Sequence, residues 1–359
     1  MIPVYKPFIT ELEQEYVAKA MESTWISSKG EFLEQFEGKL RQFLGAKHVI
    51  LTNSGTSACH LALLAAGIGP GDEVIIPDST YVATANAVRY CGATPVLVDV
   101  SKDSWNINTS LIAAAITEKT KAIFVVHLMG YPCFISHLKS ICEQYNLLLI
   151  EDACEAFGGM YEEQKLGTIG LTGAFSFFGN KVITTGEGGC VVTNDDRVAE
   201  YIRLFQGQGQ TEPYFHPVIG YNYRMTNVAA AIGCAQMDNY SVICAQKLRL
   251  NELYYGYLHK HVRLQPQSTT IHKSANWMTG ITVPEHDRNH IIKQLSKEGI
   301  DTRKWFQPIH ELPPYRQYKS SALPISYKLS RTGIMLPSYP ELRDWEVEKI
   351  SDIILRYVR

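Results

Sequence analysis

Apolar and polar positions along this chain follow two alternating patterns. Short runs rich in β-branched residues predict buried strands, and longer stretches between several of them carry apolar residues at helical spacing. The predicted strands cover residues 48–52, 73–77, 95–100, 122–127, 147–152, 174–178 and 189–193. Helix-length segments between them include residues 57–66, 83–90 and 136–145. This alternation predicts an α/β protein with a mostly parallel sheet of about seven strands, covered on both faces.

The last three predicted strands lie closer together than the others and are joined by glycine-rich turns. These turns leave little room for the crossover helix that a parallel connection needs. We therefore expect part of the sheet to be antiparallel, so that the sheet is mixed but mostly parallel.

The regions on either side of the sheet differ in pattern from it. Before the sheet, residues 11–21 and 31–44 predict two helices around a polar loop at 25–30, which is available for a site. After it, residues 237–259 predict one long helix. The segments 275–283, 291–299 and 345–358 that follow are typical of a small α+β unit. We place a domain boundary there, with a large domain over 1–240 and a small C-terminal domain over 241–359.

Composition and charge narrow the function classes. The chain has 359 residues, 45% apolar and 19% charged, and a formal charge of −2. This balance gives no reason to expect nucleic acid or a membrane surface as a partner. The chain begins without a signal-like segment, and no stretch approaches the ~18 apolar residues of a membrane span, so we expect a cytoplasmic protein. The eight cysteines are scattered without C-x-x-C spacing, which predicts small core residues and no metal site.

Candidate catalytic and binding residues follow the ends of three predicted strands. In a parallel α/β sheet, ligands bind at these ends. Residues 53–57 form a small, hydroxyl-rich turn that leads into a helix, which suits a phosphate group or serves as an ordinary helix cap. Asp152 ends a buried strand and is either a site carboxylate or a surface acid. Lys181 stands among aromatic and small residues and is either a Schiff-base amine or a surface lysine. Together the three meet the needs of pyridoxal 5′-phosphate, whose phosphate, ring nitrogen and aldehyde require these groups.

These residues carry a family resemblance. The chain resembles the fold-type I aminotransferases that act on nucleotide-linked keto-sugars, the DegT/StrS family, and is most similar to its perosamine and viosamine branches. The resemblance covers nearly the whole chain, through segments 24–28, 69–75, 80–83, 91–96, 126–128, 151–153, 175–181, 184–189, 221–227 and 310–315. It implies the fold-type I architecture, a pyridoxal phosphate site in the large domain, and a homodimer.

The resemblance assigns roles to individual residues. Lys181 matches the lysine that binds the cofactor's aldehyde, and Asp152 matches the acid paired with the ring nitrogen. Residues matching cofactor contacts are Gly55, Thr56 and Ser176 at the phosphate, Tyr81 on the ring face, and Glu155 near the phenolic oxygen. Asn222 matches an asparagine that reaches the phosphate of the neighbouring subunit, so the sites would be shared across the dimer. Trp25, Ser28 and His310 are expected to contact the nucleotide sugar from their places in the matching segments.

The resemblance also implies the reaction. The expected reaction moves the amino group of L-glutamate to C4 of GDP-4-keto-6-deoxymannose, which gives GDP-perosamine. A dTDP- or UDP-linked 4-keto-6-deoxyglucose, giving the viosamine nucleotide, is the alternative. Ala229 and Met129 depart from the residues common in the family, which puts local contacts in doubt but not the reaction. A catalytically silent relative that only senses a ligand is the alternative of another class, and the presence of Lys181 argues against it.

Two further patterns have structural explanations. His286 and His290 stand four apart, as in some metal sites, but no third ligand is in view and a solvated helix start is expected. Ser54 near His60 lacks the G-x-S-x-G setting of a hydrolase nucleophile.

Overall fold

The strands of the described residues belong to three sheets. The computed structural model describes residues 1–319 and 322–358. Its strands are β1 (His48–Thr52), β2 (Glu73–Pro77), β3 (Thr94–Val98), β4 (Thr120–Val126), β5 (Leu148–Asp152), β6 (Met160–Tyr161), β7 (Gln164–Lys165), β8 (Thr172–Ser176), β9 (Gly189–Thr193), β10 (Arg263–Leu264), β11 (His272–Lys273), β12 (Thr279–Thr282), β13 (Arg303–Lys304) and β14 (Gly333–Leu336). The predicted strands of the main sheet are thus confirmed with shifts of one or two residues at their ends.

Helices alternate with the strands of the main sheet and then dominate the last third of the chain. They are α1 (Glu11–Glu22), α2 (Glu31–Leu44), α3 (Gly55–Ala65), α4 (Ala83–Tyr90), α5 (Ile135–Tyr145), α6 (Asp196–Gln206), α7 (Asn227–Asp238), α8 (Tyr240–Leu258), α9 (Glu285–Lys297), α10 (Pro324–Thr332) and α11 (Asp344–Tyr357). Within the described ranges, none of these helices combines the length and apolar character that crossing a membrane requires.

The main sheet is mixed and mostly parallel, as predicted. Within the described residues its strand order is β1-β9-β8-β5-β4-β2-β3. Strand β9 runs antiparallel to both β1 and β8, and the other neighbours are parallel. The close spacing of the late strands therefore did indicate the antiparallel element. The parallel strands β2, β4, β5 and β8 end at one edge of the sheet, where ligands bind in such folds.

Both faces of the main sheet are covered by helices. Consecutive strand residues point to opposite faces, so Ile50 joins a cluster formed with α3, α4 and α6. Its neighbours Val49 and Leu51 join the larger cluster formed with α2, α5 and α7. This double cover explains why the strands are nearly continuous apolar runs.

A second sheet follows residue 240 in the chain. Strands β10, β12, β14 and β13 form it, and α8, α9 and α11 pack on it around Leu250, Ile291 and Ile354. The chain's N-terminus joins this region, because Ile2 forms a parallel bridge with Ile300. A third sheet pairs β11 with β6 and β7 of the central region. The domain boundary at residue 240 stays a prediction.

The single long helix predicted over 237–259 is confirmed as α8 (Tyr240–Leu258), but it starts three residues later than predicted. Helix α7 ends at Asp238 and α8 begins at Tyr240, with Asn239 between them. The side-chain amide of Asn239 donates hydrogen bonds to Thr10 Oγ1 at 3.1 Å and Glu13 Oε1 at 3.3 Å. These tertiary bonds to α1 and its cap hold a break that the apolar pattern alone does not reveal.

Candidate active site

A cavity of about 550 Å³ opens between the strand ends of the main sheet and the edge of the second sheet. Its lining combines polar groups from α3, β5 and β8 with aromatic and cationic groups from β13 and the loop before β12. The lining residues include Ser54, Gly55, Thr56, Tyr81, Asp152, Glu155, Ser176, Lys181, Trp277, Arg303, Lys304 and Phe306. Seven of the residues predicted to contact the cofactor are therefore brought together: Gly55, Thr56, Tyr81, Asp152, Glu155, Ser176 and Lys181.

Lys181 lies in the loop between β8 and β9. Its backbone N–H donates to Phe178 O at 2.9 Å, and its carbonyl accepts a hydrogen bond from the Tyr5 hydroxyl. The side-chain Nζ lies 4.3 Å from the centre of the Trp277 ring. The amine is thus presented to the cavity on an apolar, aromatic support, which is a setting in which a lysine can act as a nucleophile.

Asp152 is the last residue of β5 and its carboxylate is buried at the floor of the cavity. One oxygen accepts a hydrogen bond from Thr84 Oγ1 at 2.7 Å, and the other accepts from the backbone N–H of Cys154 at 3.1 Å. A buried carboxylate is costly unless it is paired. Both bonds orient the carboxylate towards the cavity.

The preceding residue, Glu151, has a different role. It is fully buried and accepts hydrogen bonds from the backbone N–H groups of Gly167, Ile169 and Gly170 at 2.8, 2.6 and 2.7 Å. Its other contact is His127 Nε2 at 2.9 Å. Burial raises the pKa of Glu151, but these bonds outweigh it and the pKa is lowered overall. Glu151 therefore anchors two loops beneath the site, while Asp152 on the opposite face of the strand lines the cavity.

The N-terminus of α3 lines one end of the cavity. Ser54 caps the helix by accepting a hydrogen bond from Ser57 N at 3.1 Å. A Cβ atom added at Gly55 would lie 2.5 Å from Ser176 Cβ, so only glycine allows the helix start and the β8 end to approach this closely. Backbone N–H groups, nearby hydroxyls and the helix dipole suit an anion here.

Glu155 and Tyr81 complete the cavity. Glu155 is buried, and its carboxylate accepts a hydrogen bond from Met129 N at 2.9 Å. Burial raises the pKa of Glu155 to about 7, against which Lys181 acts in the lowering direction. Tyr81 is exposed at the mouth, with its ring centre 6.2 Å from that of Phe306. A phosphate end, a buried acid, a lysine amine and a flat aromatic side chain together fit pyridoxal phosphate.

Four predicted site residues lie elsewhere. Of the described residues that line the cavity, none is Trp25, Ser28, Asn222 or His310. Trp25 is exposed, and Asn227 Nδ2 donates to its carbonyl at 2.7 Å. Ser28 is half-buried in the same loop.

Asn222 and His310 have clear positions outside the cavity. Asn222 is exposed, and its carbonyl accepts a bond from Asn53 Nδ2 at 3.2 Å, beside the turn that precedes α3. His310 is buried against Asp78, with Nδ1 2.7 Å from Asp78 Oδ2 and the His310 N–H donating to Asp78 Oδ1 at 2.9 Å. These bonds tie the segment after β13 to the end of β2 and place His310 on a separate surface hollow.

Several cavity residues gave little or no signal in the sequence. Thr84, which donates to Asp152 from behind the described cavity lining, stands three residues after Tyr81 on the first turn of α4, so its helical spacing could have indicated it. Trp277, Arg303 and Phe306 come from the loop before β12 and from β13 and the segment after it, more than ninety positions after Lys181 in the sequence. No local pattern places them at the site, because only the packing of the two sheets brings them there.

Two cysteines also meet at the cavity. Cys59 and Cys154 have their Sγ atoms 4.0 Å apart, and each lies close to Asp152. The contact with Cys59 and burial raise the pKa of Cys154 well above its usual range, which disfavours the thiolate form that metals require. No pattern in the sequence indicates this pair, and the absence of a metal stays a prediction.

Ser54 and His60 make separate structural contacts and do not form a nucleophile with its base. Ser54 caps α3, whereas His60 Nδ1 lies 3.3 Å from the Tyr223 hydroxyl. His286 and His290 are both exposed on α9, which begins at Glu285.

The chain belongs to the DegT/DnrJ/EryC1/StrS aminotransferase family, which residues 7–355 match. It is 43% identical to the GDP-perosamine synthase of Escherichia coli O157:H7, over 98% of this chain and 97% of that protein. The GDP-perosamine synthase of Caulobacter vibrioides is 42% identical, over 97% and 96% of the two chains. Among solved structures, Spr1654 from Streptococcus pneumoniae, by description a sugar aminotransferase in its PLP form, superposes with a TM-score of 0.94 at 26% identity over the full length of both chains.

The protein is therefore a sugar aminotransferase that depends on pyridoxal phosphate and has the fold-type I architecture. The predicted family, fold, enzyme class and cofactor are confirmed. The residues that line the cavity described above fit this cofactor chemically.

Proposed function

We propose that this enzyme moves the amino group of L-glutamate to C4 of GDP-4-keto-6-deoxymannose and so forms GDP-perosamine. The observation that carries the proposal is the cavity that joins Lys181, Asp152 and the N-terminus of α3. Full-length identity of 43% and 42% to two GDP-perosamine synthases supports the choice of substrate. The viosamine alternative, with a dTDP- or UDP-linked 4-keto-6-deoxyglucose, uses the same cavity and differs in the nucleotide and the sugar.

Lys181 and Asp152 divide the chemistry between them. When bound, pyridoxal phosphate supplies an electron sink for the negative charge that forms at the donor's α carbon. Lys181 Nζ would hold the cofactor through its aldehyde carbon, and the Lys181 amine would move the proton from the donor's α carbon. Asp152 would pair with the cofactor's ring nitrogen and keep that nitrogen cationic. Lys181 would also move the proton in the half of the reaction that delivers the amine to the keto-sugar.

The remaining lining residues bind and orient. Gly55, Thr56 and Ser176 hold the phosphate at the start of α3, and Tyr81 packs on the ring face. Glu155 approaches the phenolic oxygen. Arg303 and Lys304 at the mouth are exposed cations beside the expected path of an anionic sugar nucleotide.

The proposal includes a homodimer with shared sites. Asn222 is exposed and outside its own chain's cavity, which agrees with a contact to the phosphate of a neighbouring subunit. Trp25 and Ser28, in the exposed loop between α1 and α2, and His310 are proposed to contact the nucleotide sugar. Location in the cytoplasm stays a prediction.

A substrate panel tests the proposal. The purified protein is incubated with pyridoxal phosphate, L-glutamate and, separately, GDP-, UDP- and dTDP-linked 4-keto-6-deoxyhexoses, and products are identified by mass spectrometry. We expect an amino-sugar nucleotide with the GDP substrate. Product only from a dTDP or UDP substrate would replace the perosamine proposal with the viosamine alternative.

The Lys181→Ala variant is the control. It should form no product and show no covalent link to the cofactor after borohydride reduction. Wild-type turnover in this variant would remove Lys181 from its role. If wild-type protein binds the cofactor but glutamate never converts it to the amine form, the proposed reaction is overturned in favour of a ligand-sensing role.

A further inference from the structure

Lys247 is a buried lysine of α8 that does not line the cavity. Its side chain is 2% exposed, and Nζ donates to the carbonyl oxygens of Trp277 at 2.9 Å and Ser338 at 3.0 Å. Among the described residues, no carboxylate forms an ion pair with it. Burial lowers the pKa of Lys247 to about 7. A lysine kept in so unfavourable a place is expected to do something that an apolar residue could not.

The neighbours of Lys247 hold the backbone of the cofactor lysine. Trp277 Nε1 donates to Asn180 O at 2.6 Å, and the Tyr5 hydroxyl donates to Lys181 O. Lys247 Nζ bonds the carbonyl of Trp277 and lies 5.0 Å from the centre of the Tyr5 ring. Both groups that fix consecutive carbonyls at Lys181 therefore contact the same ammonium.

Trp277 also touches the reactive end of the lysine. The indole ring that donates to Asn180 O is the ring over which Lys181 Nζ lies, at 4.3 Å. A shift of Trp277 would thus move both the backbone and the amine of Lys181. Lys247 bridges Trp277, just before β12, to Ser338, just after β14, and so fixes where the indole stands.

We propose that Lys247 is a positioning residue for Lys181, acting through Trp277 and Tyr5. The inference rests on the proposed role of Lys181 and adds a residue that never touches the cofactor. A lysine suits this place because its ammonium donates to two carbonyls and faces an aromatic ring at the same time. A methionine of similar length fills the volume without any of these contacts.

The test compares two ligands on full-length protein from which the cofactor has been removed. Pyridoxal 5′-phosphate reports on Lys181, because its capture needs the amine, and pyridoxine 5′-phosphate has no aldehyde and reports on the pocket alone. In Lys247→Met we expect the rate of covalent capture to fall about tenfold or more, while the dissociation constant for pyridoxine 5′-phosphate stays within about twofold. Lys247→Arg, which keeps the charge and the donors, should restore most of the rate.

The loaded enzyme supplies a second readout. In single-turnover reactions with L-glutamate, the maximal rate at which the cofactor is converted to its amine form should fall by about the same factor in Lys247→Met. The glutamate concentration that gives half of that rate should stay within about twofold. Lys165→Met is the matched control, because Lys165 is a half-buried lysine that lies 4.5 Å from the Phe43 ring and outside the cavity lining. It should leave both quantities unchanged.

Each result decides. Equal losses for both ligands in Lys247→Met mean a damaged pocket and overturn the positioning role, as does no loss for either. If thermal unfolding shows that Lys247→Met is not folded, Lys247→Gln takes its place.

A double variant tests whether Lys247 and Tyr5 act on Lys181 together. Adding Tyr5→Phe to either Lys247 variant should slow capture by less than the product of the two separate effects. Fully multiplicative effects would show that the two residues act independently and would contradict the proposal. Covalent capture by Lys181→Ala would instead overturn the role of Lys181 itself.

Discussion

Glu155 is the residue of the cavity whose protonation changes nearest to neutral pH. Burial raises the pKa of this carboxyl to about 7 in the folded chain, while an unfolded chain keeps it near the ordinary value of 4.5. Between these two values the folded protein holds a proton that the unfolded one lacks. Its contribution to the free energy of unfolding therefore decreases as pH rises from 4.5 towards 7.

Replacing this group makes the effect measurable. In cofactor-free protein, the Glu155→Gln variant should gain stability relative to wild type by roughly 2 to 3 kcal/mol between pH 5 and pH 8. Urea unfolding at several pH values measures the difference. A difference that is constant with pH would show that Glu155 titrates at its ordinary value. Asp352→Asn, an exposed acid on α11, is the control and should show no such trend.

Replacing glycine with alanine should weaken cofactor binding at one helix and stabilise the fold at another. Gly55→Ala at the start of α3 would place a Cβ atom 2.5 Å from Ser176 Cβ, at the proposed phosphate site. We expect it to weaken binding of pyridoxal phosphate about tenfold or more, measured by equilibrium dialysis. Gly38→Ala within α2 meets no atom within 4 Å and should raise the free energy of unfolding by about 0.5–1 kcal/mol with unchanged cofactor affinity. Unchanged affinity in Gly55→Ala would move the phosphate away from this turn.

At the level of elements, the apolar pattern predicts what is governed by local spacing. The strands of the main sheet are continuous apolar runs because both faces are covered, and such runs are readable in one sequence. The break at Asn239 was not readable, because its cause is a pair of hydrogen bonds to Thr10 and Glu13, over two hundred residues earlier. Where the end of an element depends on a distant partner, the local sequence pattern does not predict it.

At the scale of the whole molecule, local sequence patterns predict only part of the candidate site. Asp152 and Lys181 could be found because each follows a strand of one sheet, and parallel strands deliver their ends to one edge. Trp277 could not, since it comes from the loop that precedes β12 in a different sheet. The grouping of Lys247, Tyr5 and Trp277 likewise depends on how α8, the N-terminal segment and the second sheet pack.

A shared site makes a numerical prediction for the assembled protein. If Asn222 serves the neighbouring subunit, mixing Asn222→Ala with Lys181→Ala protein and allowing exchange restores one intact site in each mixed dimer. Equal amounts should recover about a quarter of wild-type activity, although each variant alone is nearly inactive. Wild type mixed with the double variant should only lose activity. Absence of recovery, with exchange demonstrated by mass spectrometry, would place Asn222 outside a shared site.

The cavity also sets the time at which the protein can acquire its cofactor during synthesis. Its lining extends from Ser54 near the start of the main sheet to Met335 in β14. A ribosome-bound chain can complete the seven-stranded sheet, with Asp152 and Lys181 in place, long before β13 and β14 leave the exit tunnel. Until they emerge, Lys181 lies at the open edge of the main sheet, because one side of the cavity is missing. Loading of the cofactor thus becomes one of the last events in the making of this enzyme.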